Sequence, residues 1–169
     1  AALPPFEIIK VADAPPRPLP RSGRPLAGVR VLELTRIIAG PVAGRTLAAH
    51  GADVLHITSP NLPSIPSLVI DTGRGKRPAF LDLDTSDGSG QLSTLLRSAD
   101  IFVQGYRPGG LASRGFDPLE AARNNPGLIA VSLSAYGHVG PWSGRRGFDS
   151  LTQNANGINV AEAIAATGK

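Results

Sequence analysis

Apolar residues fall in short blocks separated by longer mixed segments, and the blocks predict strands. Gly28–Leu34 is rich in Val and Leu and reads as a buried strand. Ile37-Ile38-Ala39-Gly40 follows as a tight apolar loop. Pro41 suits the first turn of a helix, where its missing N–H is not needed, and that helix runs to His50 and stops at Gly51. Ala52–Ile57 is the second strand.

The alternation continues down the chain. Pro78–Leu83, Ala99–Gln104 and Leu128–Leu133 are further strands. Thr85 or Ser86 caps a helix through Leu92, Leu95 and Leu96, and Asp117-Pro118 starts another that ends near Asn124-Asn125-Pro126. Leu111–Arg114 reads as a short helical turn, and a last helix runs from Phe148 to about Asn156. Thr58–Ser67 and Asp71–Arg77 read as loops, Ala161–Ala166 is small and undistinguished, and Phe6–Val11 is a candidate edge strand. Strands alternating with helices predict an α/β fold with a doubly wound, mostly parallel, Rossmann-like sheet. Open parallel sheets bind ligands at the carboxyl ends of their strands, which draws attention to the loop after the first strand. That loop, Thr35–Pro41, has no G-x-G-x-x-G and is not a dinucleotide fingerprint. The fold alone says nothing of chemistry.

At 169 residues the chain suits one domain with a proper core, and 41% hydrophobic and 18% charged residues are ordinary for a globular protein. The absence of cysteine excludes disulfides, zinc–thiolate sites and thiol nucleophiles. His50, His56 and His138 are scattered, so no metal is expected. No run is apolar enough to span a bilayer and no signal peptide is evident, so a cytoplasmic protein with no membrane partner is expected. The chain begins with Ala and lacks Met, which reads as a piece of something longer. A net charge of +4 suits a phosphate-bearing ligand. With 5% aromatic residues and no basic helix or stacking platform, nucleic acid is not an expected partner.

Two glycine-rich loops carry charge. Gly73-Arg74-Gly75-Lys76-Arg77 pairs backbone freedom with cations, as a phosphate cradle does, although it precedes its strand and so belongs at the opposite edge unless the chain folds back. Gly105-Tyr106-Arg107 offers a flat face for a base beside a charge; an ordinary packed Tyr and solvated Arg explain it equally well. Arg145-Arg146 is a charged face or an anion clamp, and Asp149 suits an N-terminal dipole partner as readily as an acid.

The order of segments resembles the N-terminal half of a family III CoA-transferase. The matching pieces include Pro25–Arg36, Ile38-Ala39-Gly40-Pro41, Gly51-Ala52-Asp53-Val54, Arg74–Arg77, Leu81-Asp82-Leu83, Ala99–Val103, Arg107-Pro108-Gly109, Asn125-Pro126, Tyr136-Gly137, Gly140-Pro141 and Arg146–Asp149. The resemblance divides the chain into a Pro-rich leader (1–24), a CoA-binding Rossmann-like domain that is the incomplete N-terminal part of the family fold (25–158), and the start of a following segment (159–169).

The resemblance implies coenzyme A or acyl-CoA as the bound substrate, a carboxylic acid as acceptor, and an interlocked homodimer. It places Arg36, Ile37 and Ala39 in one CoA-contacting loop, Gly75, Lys76 and Arg77 in a second, Gly105 and Tyr106 on the adenine side, and Arg114 and Arg146 near the phosphates. It also implies catalysis by an aspartate that attacks the thioester. That nucleophile is expected beyond Lys169, with Asp149 matching a supporting acidic position, so the chain alone is expected to be inactive. Ile38 stands where the formyl-CoA subgroup has Gln, which argues against formate or oxalate as substrate. A related racemase group places a His where this chain has Phe148, so racemase chemistry is disfavoured, and His138 reads as a loop hydrogen-bonder. The alternative within the resemblance is a non-catalytic CoA-binding or dimerisation module.

Overall fold

The computed structural model describes Pro4, residues 6–20 and residues 23–168. Five strands, β1 (Arg30–Leu34), β2 (Asp53–Thr58), β3 (Arg77–Phe80), β4 (Ile101–Gln104) and β5 (Ile129–Ser132), form one sheet in the order β3-β2-β1-β4-β5. Every pairing is parallel. A parallel pair needs a long crossover. These are built on α1 (Ala39–Ala49), α2 (Pro66–Thr72), α3 (Ser86–Leu96) and α4 (Pro118–Asn124); α5 (Asp149–Asn156) and α6 (Ile158–Thr167) follow β5. The strand order reverses between β1 and β4, so these two central strands flank the switch point of a doubly wound sheet.

Alternation along β1 feeds both faces. Leu32 and Leu34 join Phe102 of β4 and Leu92 and Leu96 of α3 in one core cluster. Val31 joins Val54, Val103 and Ala48 of α1 in the other. Glu33 shares the α1 face: a Cβ added to Gly44 of α1 would sit 1.9 Å from Glu33 Oε2. Thr85 caps α3 by accepting from the Gly88 N–H at 3.1 Å, and Asp117 caps α4 by accepting from the Leu119 and Glu120 amides, as their sequence positions suggest.

Three segments depart from the expectation. Phe6–Val11 adds no strand, and Ile8 is 87% exposed. The leader lies beside the domain instead, with Arg17 Nη2 2.6 Å from Asp100 Oδ1. Within the stretch read as loop, Pro66 stands at a helix N-terminus and Leu68-Val69-Ile70 continue as α2, the crossover that a parallel β2–β3 pair requires. Ala161–Ala166 lies within α6, consistent with the high helix propensity of alanine. The first strand also begins later than expected, because Gly28 has φ +82°.

Candidate functional site

β1 and β4 are paired with Leu34 opposite Gln104, so the loops that follow them leave the sheet side by side. The first runs from Thr35 to Ala39, where α1 starts without a side-chain cap. Within it Ile37 has φ +73°, and it is the one non-glycine in the left-handed region among the described residues. A β-branched residue there is a strained outlier, and such strain concentrates at ligand clamps. The second loop begins with Gly105, whose amide donates to Leu34 O at 3.1 Å, and Tyr106, whose amide donates to the Gln104 side chain at 2.8 Å. Burial pushes the Tyr106 phenol above its ordinary value, against the pull of the nearby Arg114 and Arg36 guanidiniums. Arg114 Nε donates to Asp84 Oδ1 at 2.9 Å, and Arg36 donates to the Pro63 carbonyl. Arg36, Ile37, Ala39, Gly105, Tyr106 and Arg114 therefore gather at the carboxyl edge.

The remaining candidates lie elsewhere. Gly75, Lys76 and Arg77 lead into β3 from the amino side, because a parallel strand must be entered there and α2 delivers the chain to it. Gly75 packs against Ala48 in the later turns of α1, and Arg77 pairs with Asp53 at the start of β2 at 2.6 Å. The turns around Ile38 and Tyr106 thus share an edge, and the Lys76 turn does not join them. Only the Lys76 side chain returns toward that edge, and it does so inside the protein. Arg146 and Asp149 are exposed on the segment after β5. Asp149 Oδ2 accepts from Gln153 Nε2 at 2.7 Å, within α5.

The interior position of Lys76 exposes a cluster that the sequence reading passed over. Glu33 is 0% exposed in the middle of the sheet. Its Oε1 accepts from Thr35 Oγ1 at 2.7 Å, and its Oε2 faces the Lys76 ammonium at 2.7 Å, as an ionic contact rather than an aligned hydrogen bond. Lys76 Nζ also donates to the Pro41 carbonyl at 2.7 Å. His56 Nε2–H donates to the Thr35 carbonyl at 3.1 Å and lies 3.7 Å from Glu33 Oε1. The signal was available: a lone Glu in a central parallel strand, buried on both faces, must find a cation.

Two concavities, of about 500 and 400 Å³, open on the α1–α2 side, lined in part by Arg45 and Arg74 and by His56 and Lys76 respectively. Among the described residues there is no group of three His, Asp or Glu placed to hold a metal, and no helix long and apolar enough to cross a membrane.

Residues 26–164 match the family described as CoA-transferase family III. An acetyl-coenzyme A transferase of Hypoxylon pulicicidum is 38% identical over 82% of this chain and 24% of its own length. A succinate–glutarate CoA-transferase of Agrobacterium fabrum is 34% identical over 83% of this chain and 40% of its own. Among solved structures, a CAIB/BAIF family protein from Brucella suis superposes with a TM-score of 0.74 at 34% identity, over 81% of this chain and 40% of that one. The chain spans two-fifths or less of the length of these relatives.

Proposed function

Because this chain belongs to CoA-transferase family III, we propose that it is the CoA-binding portion of an enzyme that moves CoA between carboxylic acids. The observation that carries this reading is the adjacency of the Arg36–Ala39 and Gly105–Tyr106 loops at the switch point, where a doubly wound sheet takes its ligand. In this reading Arg36 and Arg114 supply charge for the phosphates, Tyr106 a flat face for the adenine, and Gly105 room for the chain of the ligand to pass. Ile37 and Ala39 line the same passage with apolar surface, and Arg146 closes on the anion from the segment after β5. Lys76 supports the site from within the protein, while Gly75 and Arg77 stay at the opposite edge of the sheet.

The chemistry uses an aspartate expected beyond Lys169. Its carboxylate attacks the thioester carbonyl, the C–S bond breaks, and CoA leaves as thiolate from a mixed anhydride. The thiolate then attacks the aspartyl carbonyl, releasing the first acid and leaving an aspartyl-CoA thioester. The acceptor carboxylate attacks the aspartyl thioester carbonyl, and its C–S bond breaks to give thiolate and a second mixed anhydride. The thiolate then attacks the acceptor's acyl carbon, forming the new CoA thioester and releasing the aspartate carboxylate. Asp149 is the supporting acid. The intact enzyme is a cytoplasmic, interlocked homodimer, and this portion alone does not turn over. The exposure of Ile129 (60%), Val160 (64%) and Ile164 (52%) on β5 and α6 supports a portion that is normally covered by further protein.

The test is calorimetric titration of CoA into the intact protein and into its Arg36→Ala variant. Losing one charge-assisted contact should weaken CoA binding about tenfold. Equal affinity in the two proteins removes Arg36 from the site, and no binding by the unaltered protein ends the reading.

A further inference from the structure

We propose that Lys76 serves this site from within, as a positioning residue that holds the Arg36–Gly40 loop in its strained shape, and not as a phosphate ligand. The proposal rests on the CoA reading for its consequence, though not for its geometry. The Lys76 side chain is 1% exposed and its ammonium is committed to Glu33 Oε2 and to the Pro41 carbonyl, both at 2.7 Å. A phosphate outside the protein would have to take it from two partners.

Those partners flank the loop. On its amino side, Thr35 is tied to Glu33 through its hydroxyl, and its carbonyl accepts from His56. On its carboxyl side, Pro41 is tied to Lys76, and Lys76 to the same Glu33. Nothing local explains the shape between these anchors. Ile37 takes φ +73° without being glycine, and α1 begins with no capping side chain. Packing closes the arrangement from above: a Cβ on Gly40 would meet the Thr35 side chain at 2.4 Å. The loop is therefore shaped by the buried carboxylate and ammonium below it, which hold its two ends at a fixed separation while the left-handed residue spans them.

The experiment compares the intact protein with the pair Glu33→Gln/Lys76→Met, which removes both charges so that neither is stranded, and with the same pair carrying Ile37→Gly. Exchange of the Val42 amide, which donates to the Ile38 carbonyl at 2.8 Å, reports the first turn of α1. The pair should exchange there about tenfold faster, with β4 amides unchanged, and bind CoA about tenfold more weakly. Glycine takes a positive φ without strain, so against Ile37→Gly alone, which sets the reference for the lost Ile37 side chain, removing the charge pair should cost about threefold less or better than it costs beside Ile37. An equal cost of the pair in the two backgrounds overturns the proposal, since a missing phosphate ligand cannot be replaced by a relaxed loop. If the unaltered protein binds no CoA, the functional reading fails and Val42 exchange alone decides: unchanged protection in the pair overturns the tether. Should the pair not fold, amine acylation of the unaltered protein decides. Lys76 should stay unlabelled with and without CoA, and labelling that CoA blocks overturns the proposal.

Discussion

The Glu33 carboxylate and the Lys76 ammonium meet at 2.7 Å across the α1 face of the sheet, with both side chains closed to solvent. Removing one charge from such a pair leaves the other buried without compensation, which costs about 3–5 kcal/mol. Lys76→Met alone should therefore lower unfolding free energy by about that amount, while Glu33→Gln/Lys76→Met should cost much less. A urea denaturation cycle over the four proteins measures the difference. Two single losses that simply add in the double variant would show that the pair is not coupled.

Two glycines inside helices should respond in opposite ways to the same substitution. In α1, a methyl at Gly44 would occupy space 1.9 Å from Glu33 Oε2, and the buried carboxylate cannot retreat without abandoning Thr35 or Lys76. Gly44→Ala should destabilise by about 2–3 kcal/mol or more. In α3, a Cβ at Gly90 has nothing within 4 Å, and Gly90→Ala should stabilise by about 0.5–1 kcal/mol through helix propensity. Thermal unfolding of both variants checks the pair, and a loss of similar size at both positions would mean that α1 does not pack as described.

Much of this architecture was legible because strand and helix signals were local. Val31 to Leu34, Asp53 to Ile57 and Phe102 to Gln104 are short apolar runs bounded by glycine or polar residues, and the caps at Thr85 and Asp117 are side chains acting on their own neighbours. α2 was missed because Pro60, Pro63 and Pro66 resemble loop punctuation, and only the need to cross over to β3 makes a helix of the last of them. For the site, the Ile37 and Tyr106 loops were legible as carboxyl-end loops of predicted strands. The fate of Lys76 was not, because a basic residue in a glycine-rich, charged turn reads as exposed. Its burial is set by Glu33, 43 positions earlier (76 minus 33), through a sheet register that no local pattern carries.

Asp100 joins the leader to the sheet, and its pH dependence has a definite sign. Its Oδ2 accepts from the Arg30 amide at 2.8 Å, and its Oδ1 is 2.6 Å from Arg17 Nη2. Burial pushes its carboxyl up, but the hydrogen bonds from Arg17 and Arg30 outweigh that and hold it below the ordinary value of 3.8. A carboxyl depressed in the folded state contributes stability above its unfolded value, and that stability is lost as pH falls through the lower folded value. Asp100→Asn should thus melt a few degrees below the unaltered protein near neutral pH, with the gap closing in acid below 3.8. A melting difference that stays constant from neutral to acid would show that the charge of Asp100 contributes nothing.

In the proposed CoA site Tyr106 faces the nucleotide end of the ligand, which two ligands can test. Its ring is half-buried at the carboxyl edge, with Arg114 and Arg36 close enough to act on its phenol. If its contribution is a stacking face, the ring matters and the hydroxyl does not, so Tyr106→Phe should bind CoA like the unaltered protein. Tyr106→Leu keeps an apolar side chain of modest size but loses the π-face, and should weaken CoA by about 1–3 kcal/mol. That loss should be absent with pantetheine, which lacks the adenine, provided binding of the smaller ligand is measured by competition against labelled CoA. Equal losses for CoA and pantetheine would instead mean that Leu at this position disturbs the neighbouring loop, through Gln104 and Gly105, and that the adenine lies elsewhere.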